Sequence, residues 1–210
     1  KQDVGFDTAE SAYGDADDVT GDTIFQQVET LYDAAGSATQ VVMRHRHHDA
    51  TGTGELTTPS GADPKARVRY TGYWYDALGR QTSAADFGTT SFDRSSYGNA
   101  PTRSDSILVS STEYNDAGEA YKTIDPAAKE TRLEFDHAGR QKKVIGNYID
   151  GVPSGSDDDV TVEMTYNADG LVSTLTAKNP TTGDQVTKYV YGTDVGDASP
   201  LIFRKDLLRA

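Results

Sequence analysis

Apolar and polar residues alternate with a period of two along several stretches of this chain. Steps of two back from Phe135 reach Leu133 and Thr131, and the charged residues Arg132 and Glu134 lie between them. Because successive side chains of a strand point to opposite faces, this pattern predicts antiparallel strands with one packed face and one wet face. The face that carries the terminal aromatic residue is predicted to be the packed one.

A short unit ends each of these strands: an aromatic residue, Asp or Asn, two variable residues and Gly. It occurs five times in the 210 residues, which indicates an internal repeat. Asp or Asn opens a turn by bonding to the backbone two residues on, and Gly adopts the left-handed conformation that closes a three-residue hairpin loop with a bulge. The predicted turn and core residues are Tyr32 and Gly36, Tyr75 and Gly79, Tyr114 and Gly118, Phe135 and Gly139, and Tyr166 and Gly170.

The glycines of these units lie at uneven intervals. Gly118 and Gly139 are 21 residues apart, whereas 43 residues separate Gly36 from Gly79 and 39 separate Gly79 from Gly118. Both longer intervals are close to twice the shorter one, so the spacing predicts a degenerate unit within them. The polar, turn-rich stretches predicted to leave the sheet as loops are 50–65, 87–106 and 147–159.

Charge and composition narrow the classes of function. The chain has 33 Asp and Glu against 20 Lys and Arg, and its net charge of −13 argues against nucleic acids and anionic membrane surfaces as partners. There is no cysteine, which excludes disulfides and thiol chemistry. No apolar run approaches the roughly 18 residues of a spanning helix, so membrane insertion is not expected. Since the chain starts at Lys1 and ends in a repeat-like sequence, we expect a piece of a longer, exported bacterial polypeptide.

The sequence contains no recognisable motif for catalysis or cofactor binding. Nucleophile-elbow, zinc-protease and phosphate-loop patterns are missing, and the many Asp residues stand at predicted turns. His45, His47 and His48 are interpreted as an exposed polar strand end, because no third metal ligand is evident. The acidic residues around 15–18 lack the spacing of a calcium loop. We therefore predict no enzymatic activity, no cofactor and no metal site.

Trp74 breaks the alternation, because it lies on the face opposite Tyr73 and Tyr75. This position predicts an outward ring that is able to stack on a sugar. A carbohydrate-binding or adhesion module on the cell surface is therefore one alternative function. Another follows from the open strand edges of a cut sheet, which favour self-association into an extracellular fibre.

The repeated unit resembles the YD repeats of the rearrangement-hotspot (RHS) family, whose pattern is roughly Tyr-Asp-x-x-Gly-Arg-Leu, Asp-Pro-x-Gly and Thr-x-Tyr-x-Tyr-Asp. The matching stretches are 75–80, 114–118 with 125–126, 131–140 and 187–191. This resemblance covers about residues 27–191 and implies a long antiparallel β-strip that spirals. It also implies a place in a hollow shell around a C-terminal toxin, or in the barrel of an adhesion receptor.

Some positions depart from the family pattern. Ser37 and Glu119 replace the Arg that follows Gly, and the turn that starts at Asp125 has Lys129 where Gly or Asn adopts the backbone more easily. The family's shell-closing motif with its autoproteolytic aspartates is missing. The resemblance therefore transfers no catalytic residue.

The combined prediction is an all-β chain of antiparallel hairpin repeats that form a spiralling strip, as part of an RHS-type shell. Its predicted domains are an acidic, loop-rich segment at 1–26, the repeat region at 27–192 and a segment at 193–210 that ends inside a further repeat. The predicted function is a non-catalytic wall or scaffold segment of a secreted or cell-surface bacterial RHS-repeat protein. Its main partner is expected to be the rest of its own polypeptide.

Overall fold

The computed structural model describes residues 1–6, 21–155 and 157–191. Within these ranges the chain forms twelve β-strands and one short 3-10 helix, so the all-β prediction is confirmed. The strands are β1 (Gln2–Phe6), β2 (Thr23–Tyr32), β3 (Ala38–Arg46), β4 (Ala66–Tyr75), β5 (Gln81–Gly88), β6 (Leu108–Tyr114), β7 (Ala120–Ile124), β8 (Glu130–Phe135), β9 (Gln141–Gly146), β10 (Val160–Tyr166), β11 (Val172–Ala177) and β12 (Gln185–Lys188), and the 3-10 helix is Arg94–Ser96.

The twelve described strands follow chain order in one sheet. The described neighbours pair in an antiparallel sense, as expected for a run of hairpins. The chain groups into two compact units, Lys1–Ser111 and a second that begins at Thr112. In the described ranges, no helix has the length and apolarity to cross a membrane.

The predicted terminal segments are only partly described. In the N-terminal segment 1–26, β1 and the start of β2 are paired strands, and residues 7–20 lie outside the described ranges. The predicted segment 193–210 lies wholly outside them. The proposed domain boundaries therefore stay predictions.

Every second connection between β2 and β11 is one of the five Gly turns, which join β2 to β3, β4 to β5, β6 to β7, β8 to β9 and β10 to β11. Two strands therefore separate one Gly turn from the next, whatever the number of residues between them. The prediction of degenerate units is wrong for the fully described stretch 36–118. Its additional residues form the long loops that join β3 to β4 and β5 to β6.

The strand register shifts at the aromatic position of the hairpins, which is the bulge that a three-residue loop requires. Such shifts lie between Leu31 and Tyr32, Trp74 and Tyr75, Glu134 and Phe135, and Thr165 and Tyr166. The pairing of β1 with β2 also skips one residue, Phe25. Ile24 consequently points to the same face as Gln27, and both are buried.

The two faces of the sheet differ in the first unit. The face with the buried side chains, called here the covered face, consists of Ile24, Gln27, Gln40, Val42, Val68, Gly72, Trp74, Ala85 and Phe87. The opposite face, called here the open face, consists of Val41, Met43, His45, Arg67, Arg69, Tyr73 and Asp86, according to the strand register.

Two buried glutamines hold the long loops on the covered face. The Oε1 atom of Gln27 accepts the backbone N–H of Leu56 at 3.0 Å. Gln40 donates from Nε2 to the carbonyl oxygen of Phe92 at 3.1 Å, and its Oε1 accepts the backbone N–H of Arg94 at 2.9 Å. These bonds pair the backbone N–H groups of Leu56 and Arg94 and the carbonyl of Phe92, so the loops bring Leu56 and Phe92 to the core with these buried polar groups satisfied.

Candidate functional site

The five Gly turns share one backbone geometry. Their glycines have φ between 74° and 87°, in the left-handed region that residues with a Cβ avoid. In each turn the Gly N–H donates to the carbonyl of the Asp or Asn at 2.9 to 3.1 Å, and the Asp or Asn N–H donates to the carbonyl after Gly at 2.8 to 2.9 Å. The structure thus places Gly36, Gly79, Gly118, Gly139 and Gly170 at chain reversals.

The Asp or Asn side chain organises the turn from within. In the turn of Asp136, the Oδ1 atom accepts the N–H groups of Ala138 and Arg140 at 2.9 and 3.0 Å. Asp33 and Asp76 make the same pair of bonds. One oxygen therefore satisfies two backbone donors, which explains why this position takes only Asp or Asn.

A second side chain completes some of the turns, and its charge matches the first. Arg140 donates from Nε to Oδ2 of Asp136 at 2.8 Å, and Arg80 does so to Asp76 at 2.7 Å. Where Asn115 replaces Asp, its Nδ2 donates instead to Oε2 of Glu119 at 2.8 Å. Glu119 is therefore the natural partner of an Asn and not a defect of the repeat.

The electrostatics of the Asp turns follow from these bonds. The bond from the Arg140 side chain, with the backbone N–H bonds of the turn, holds the pKa of Asp136 below its usual range. For Asp76 the backbone N–H of Arg80 has the largest effect, and its guanidinium adds to it. Both carboxylates therefore favour the charged form and accept hydrogen bonds from residues of their own turns.

A tyrosine hydroxyl clasps each of several hairpins to the strand before it. Tyr75 donates to the carbonyl of Ala38 at 2.8 Å, and Tyr166 donates to the carbonyl of Gln141 at 2.6 Å. The acceptor is in each case two residues after a turn glycine. Tyr191 makes the same contact with Val172, two residues after Gly170, at 2.9 Å. At these three positions the tyrosine thus joins one part of the sheet to the hairpin before it, and we call this contact the tyrosine clasp.

A cation–π contact reinforces one clasp. The guanidinium carbon of Arg140 lies 4.3 Å from the centre of the Tyr166 ring. Arg140 also bonds to Asp136, so one residue links its own turn to the aromatic residue of the next hairpin. Tyr114, Phe135 and Tyr166 are all half-buried.

The turn that starts at Asp125 has the same geometry without a glycine. Its Oδ1 accepts the N–H groups of Ala127 and Lys129, and the Ala128 N–H donates to its carbonyl at 2.9 Å. The left-handed residue is Ala128, with φ of 64°. The prediction that Lys129 takes this position is wrong, because the turn is one residue shorter than that interpretation required.

Trp74 lies in the core and not at the surface. Its side chain is 4% exposed in a cluster with Ala85, Phe87 and Phe92, and the Phe87 and Phe92 rings stack with centres 3.9 Å apart. The prediction of an outward, sugar-stacking Trp74 is therefore wrong. Gly72 makes room for this packing, since a Cβ there would lie 2.6 Å from the Phe92 ring.

The packed face of the first unit is the opposite of the predicted one. Tyr32 is 65% exposed, so its assignment to the core is wrong, and Tyr73 and Tyr75 are only half-buried. The physical reason is the covering by the long loops, whose Leu56 and Phe92 seal the face that carries Trp74.

A loop also covers part of the sheet in the second unit. Thr161 is 2% exposed while Val160 is 47% exposed, the reverse of the predicted alternation. Asp159 ends the loop 147–159 with a side chain 1% exposed, which accepts backbone N–H groups of Ile149 and Gly151 at 2.9 Å. Burial opposes its charge, yet these donors hold the pKa of Asp159 below its usual range.

The histidine-rich strand end is accessible. His45 and His48 are exposed and His47 is half-buried. Among the residues that the structure describes, no group of three or more His, Asp or Glu side chains is arranged to hold a metal ion. The sequence did not predict the hydrogen bonds of Gln27 and Gln40 to the loops, the tyrosine clasps or the covering of the sheet by the loops. The isolated apolar residues Leu56 and Phe92 in otherwise polar loops were the only local signal of that covering.

The fold and these contacts define an all-β protein of clasped hairpin repeats. No protein-family model matches the chain, and no curated protein matches it. Solved structures with similarity include TcdB2-TccC3, with 14% identity over 82% of this chain and a TM-score of 0.31. TcdB2-TccC3 without its hypervariable C-terminal region has 15% identity over 78% and a TM-score of 0.32. The Photorhabdus luminescens Tc holotoxin pore has 14% identity over 82% and a TM-score of 0.29.

The chain spans only 11 to 12% of the length of these solved chains. Similarity at this level assigns neither a family nor a function.

Proposed function

We propose that this chain is a non-catalytic wall segment of a larger, secreted or cell-surface bacterial RHS-repeat protein, of the kind that encloses a toxin. The observation that carries the proposal is the tyrosine clasp. Tyr75 and Tyr166 each tie a hairpin to the strand before it through the same backbone position. A device repeated from hairpin to hairpin serves the continuity of a sheet and not the chemistry of one site.

The use of the acidic residues supports a structural role. The carboxylate oxygens of Asp76, Asp136 and Asp159 accept hydrogen bonds from backbone N–H groups or from a neighbouring Arg. A general acid or base needs a proton position that is open to a substrate. Turn carboxylates that are already saturated with donors do not offer one.

The experiment uses the polypeptide of the complete reading frame. If the repeats enclose the region that follows them, limited proteolysis leaves that region intact in the wild type. Tyr75→Phe combined with Tyr166→Phe loosens the wall and accelerates its cleavage, whereas Tyr32→Phe, at an exposed tyrosine, leaves the rate unchanged. Equal cleavage in the wild type and in the clasp variant contradicts the enclosing role.

A carbohydrate-binding module is the second candidate, at a site other than Trp74. A cavity of about 590 Å³ lies beside the exposed side chains of Tyr32 and Leu31 in the first unit. The carboxylates of Asp33 and Asp93 also line it. An exposed aromatic ring beside carboxylate acceptors is the combination that binds the faces and hydroxyls of sugars.

Glycan-array binding tests this candidate. Tyr32→Ala is expected to abolish any signal, whereas Leu78→Ala removes an exposed apolar side chain outside the cavity and leaves the signal unchanged. An array without any bound glycan removes the candidate.

Self-association into a fibre is the remaining alternative. All four residues of β12 are exposed, and β12 is the last strand in the described sheet order. An open strand edge pairs readily with another chain. Size-exclusion chromatography over a range of concentrations distinguishes the cases: growing assemblies support a fibre subunit, and a constant monomer contradicts it.

A further inference from the structure

The open face of the first unit has a cavity of about 520 Å³, within the usual size range of small-ligand sites. It lies over β3, β4 and the end of β5, on the side of the sheet opposite the aromatic core. The side chains that line it include Met43, His45, Arg67, Arg69, Asp86 and Thr89. This cavity is separate from the Tyr32 cavity considered above, with which it shares no lining residue.

One carboxylate in the cavity is already neutralised. Arg69 donates to Asp86 from Nε at 3.2 Å and from Nη2. The Gly88 N–H also donates to Asp86 at 2.9 Å. The Arg69 side chain is the main reason that the pKa of Asp86 lies below its usual range. The negative charge of Asp86 is therefore already balanced by Arg69 and does not neutralise a second guanidinium.

Arg67 is the second guanidinium in the cavity. Within the described ranges, no hydrogen bond or ion pair joins its side chain to another residue. Arg67 lies two positions from Arg69 on the same strand face, about 7 Å along β4. His45 is its direct partner across the β3–β4 pair. Opposed strand residues have Cβ atoms only about 5 Å apart, so both side chains reach the same space.

The balance of charge in the cavity is unusual for this protein. The chain has a net charge of −13, yet this cavity contains two arginines against one carboxylate, and that carboxylate is already bonded to Arg69. The cavity therefore keeps one positive charge, that of Arg67, without a carboxylate partner. The free fork of Arg67 has the geometry for two parallel bonds to a carboxylate or a phosphate.

We propose that this cavity binds a small ligand that carries an oxyanion, a carboxylate or a phosphate group. Arg67 is its bidentate anchor. His45 and the remaining N–H groups of Arg69 donate from either side, while Met43 packs against the apolar part of the ligand. The site goes beyond the proposed wall function, because binding of a small anion is not part of holding the sheet together. Arg67 is exposed, so its guanidinium is accessible to a ligand from solution.

The test is a titration of the full chain, followed by amide chemical shifts at constant ionic strength. Inorganic phosphate and succinate are the two probes, with chloride replaced so that screening does not change. Saturable shifts confined to the amides around His45, Arg67 and Asp86 support the proposal. Saturation by phosphate alone identifies a phosphate ligand, and saturation by succinate alone identifies a carboxylate. No saturable shift with either probe overturns the site.

Three variants decide whether Arg67 is the anchor. Arg67→Gln is expected to weaken binding by about tenfold or more, because both bonds of the fork are lost. Arg67→Lys keeps the positive charge but not the two-pronged guanidinium, so its affinity is expected to lie between those of the wild type and Arg67→Gln. Lys129→Gln removes one positive charge from an exposed turn of the second unit and leaves binding unchanged. Equal weakening by Arg67→Gln and Lys129→Gln shows a general charge effect and rejects the site. Circular dichroism verifies that each variant is folded.

Discussion

The turn carboxyl or amide shows how single residues set the hairpins. A single Oδ1 atom accepts two N–H groups within four residues, and the following Gly or Ala takes the left-handed conformation. The local chain cannot satisfy these donors with its own carbonyls at such a tight reversal. The identity of one side chain therefore determines where a strand ends.

Replacing Ala128 by Gly is expected to stabilise the protein. Ala128 has φ of 64°, where a Cβ costs about 1 to 2 kcal/mol, and the greater freedom of Gly in the unfolded chain offsets part of this gain. The expected increase in the free energy of unfolding is about 0.5 to 1 kcal/mol, measured by urea denaturation.

Ala127→Gly is the matched control for this change. Ala127 precedes Ala128 in the same exposed turn and is not among the residues with positive φ. Its replacement therefore brings only the entropic cost of Gly. A loss of stability in both variants contradicts the argument from backbone strain.

The tyrosine clasp predicts opposite effects of adding and removing a hydroxyl. Tyr166→Phe removes the bond to Gln141 and is expected to lower the free energy of unfolding by about 1 kcal/mol. Phe135 occupies the equivalent position of its hairpin, and Ala120 lies two residues after the preceding turn glycine, Gly118. Phe135→Tyr is expected to add a clasp to the Ala120 carbonyl and to raise stability by a similar amount. Tyr32→Phe, at an exposed ring, serves as the neutral control.

Thermal melting of these single variants checks the prediction. A destabilised Phe135→Tyr means that its hydroxyl does not reach the Ala120 carbonyl, and the clasp is then not a general feature of the repeat. The turns themselves were predictable because their bonds span four residues. The clasps were not, since Tyr75 and its acceptor are 37 residues apart and only the folded sheet brings them together.

Strands are the elements that the sequence predicts best. The alternating stretch that ends at Phe135, with Leu133 and Thr131 on one face, lies within β8, because period-two alternation and flanking turn residues are both local signals. Alternation defines two faces but does not say which one a loop covers. Trp74 and Tyr32 were misassigned for this reason, since Phe92 reaches the sheet from a loop that reads as polar.

Within one hairpin, the two turn side chains form a charge-matched pair. Asn115 donates to Glu119, whereas Asp136 accepts from Arg140. Asn115→Asp places two carboxylates side by side and removes a hydrogen bond, so it is expected to cost about 1 kcal/mol or more. The double variant Asn115→Asp with Glu119→Arg recreates the Asp–Arg arrangement and is expected to recover most of this loss.

A double-mutant cycle in urea measures the coupling between the two positions. Glu119→Arg alone completes the cycle, because it removes the bond to Asn115 without creating carboxylate repulsion. A favourable coupling between Asp and Arg is expected. Additive effects of the two single changes contradict the pairing rule and leave Glu119 as an ordinary surface residue.

At the scale of the whole molecule, two electrostatic effects compete as the pH falls. The net charge of −13 repels itself, and protonation of carboxylates relieves this repulsion. Asp76, Asp136 and Asp159, in contrast, have pKa values below their usual range in the folded protein, because Arg side chains and backbone N–H groups bond to them. Protonation removes those bonds.

The short-range bonds are expected to win, so the protein becomes less stable in acid. Carboxyls with lowered pKa values contribute fully above the unfolded pKa of about 4, and their contribution is lost as the pH falls through the folded pKa. The repulsion, by comparison, is screened beyond about 8 Å at physiological salt. The urea midpoint is therefore expected to be flat between about pH 7 and pH 5 and to fall below about pH 4.

Asp136→Asn keeps the Oδ1 acceptor, as the Asn115 turn does, but loses the Arg140 ion pair. Its deficit relative to the wild type should be largest at neutral pH and shrink in acid. A midpoint that rises as the pH falls, or a deficit independent of pH, means that self-repulsion and not the bonded turn carboxylates governs the acid response.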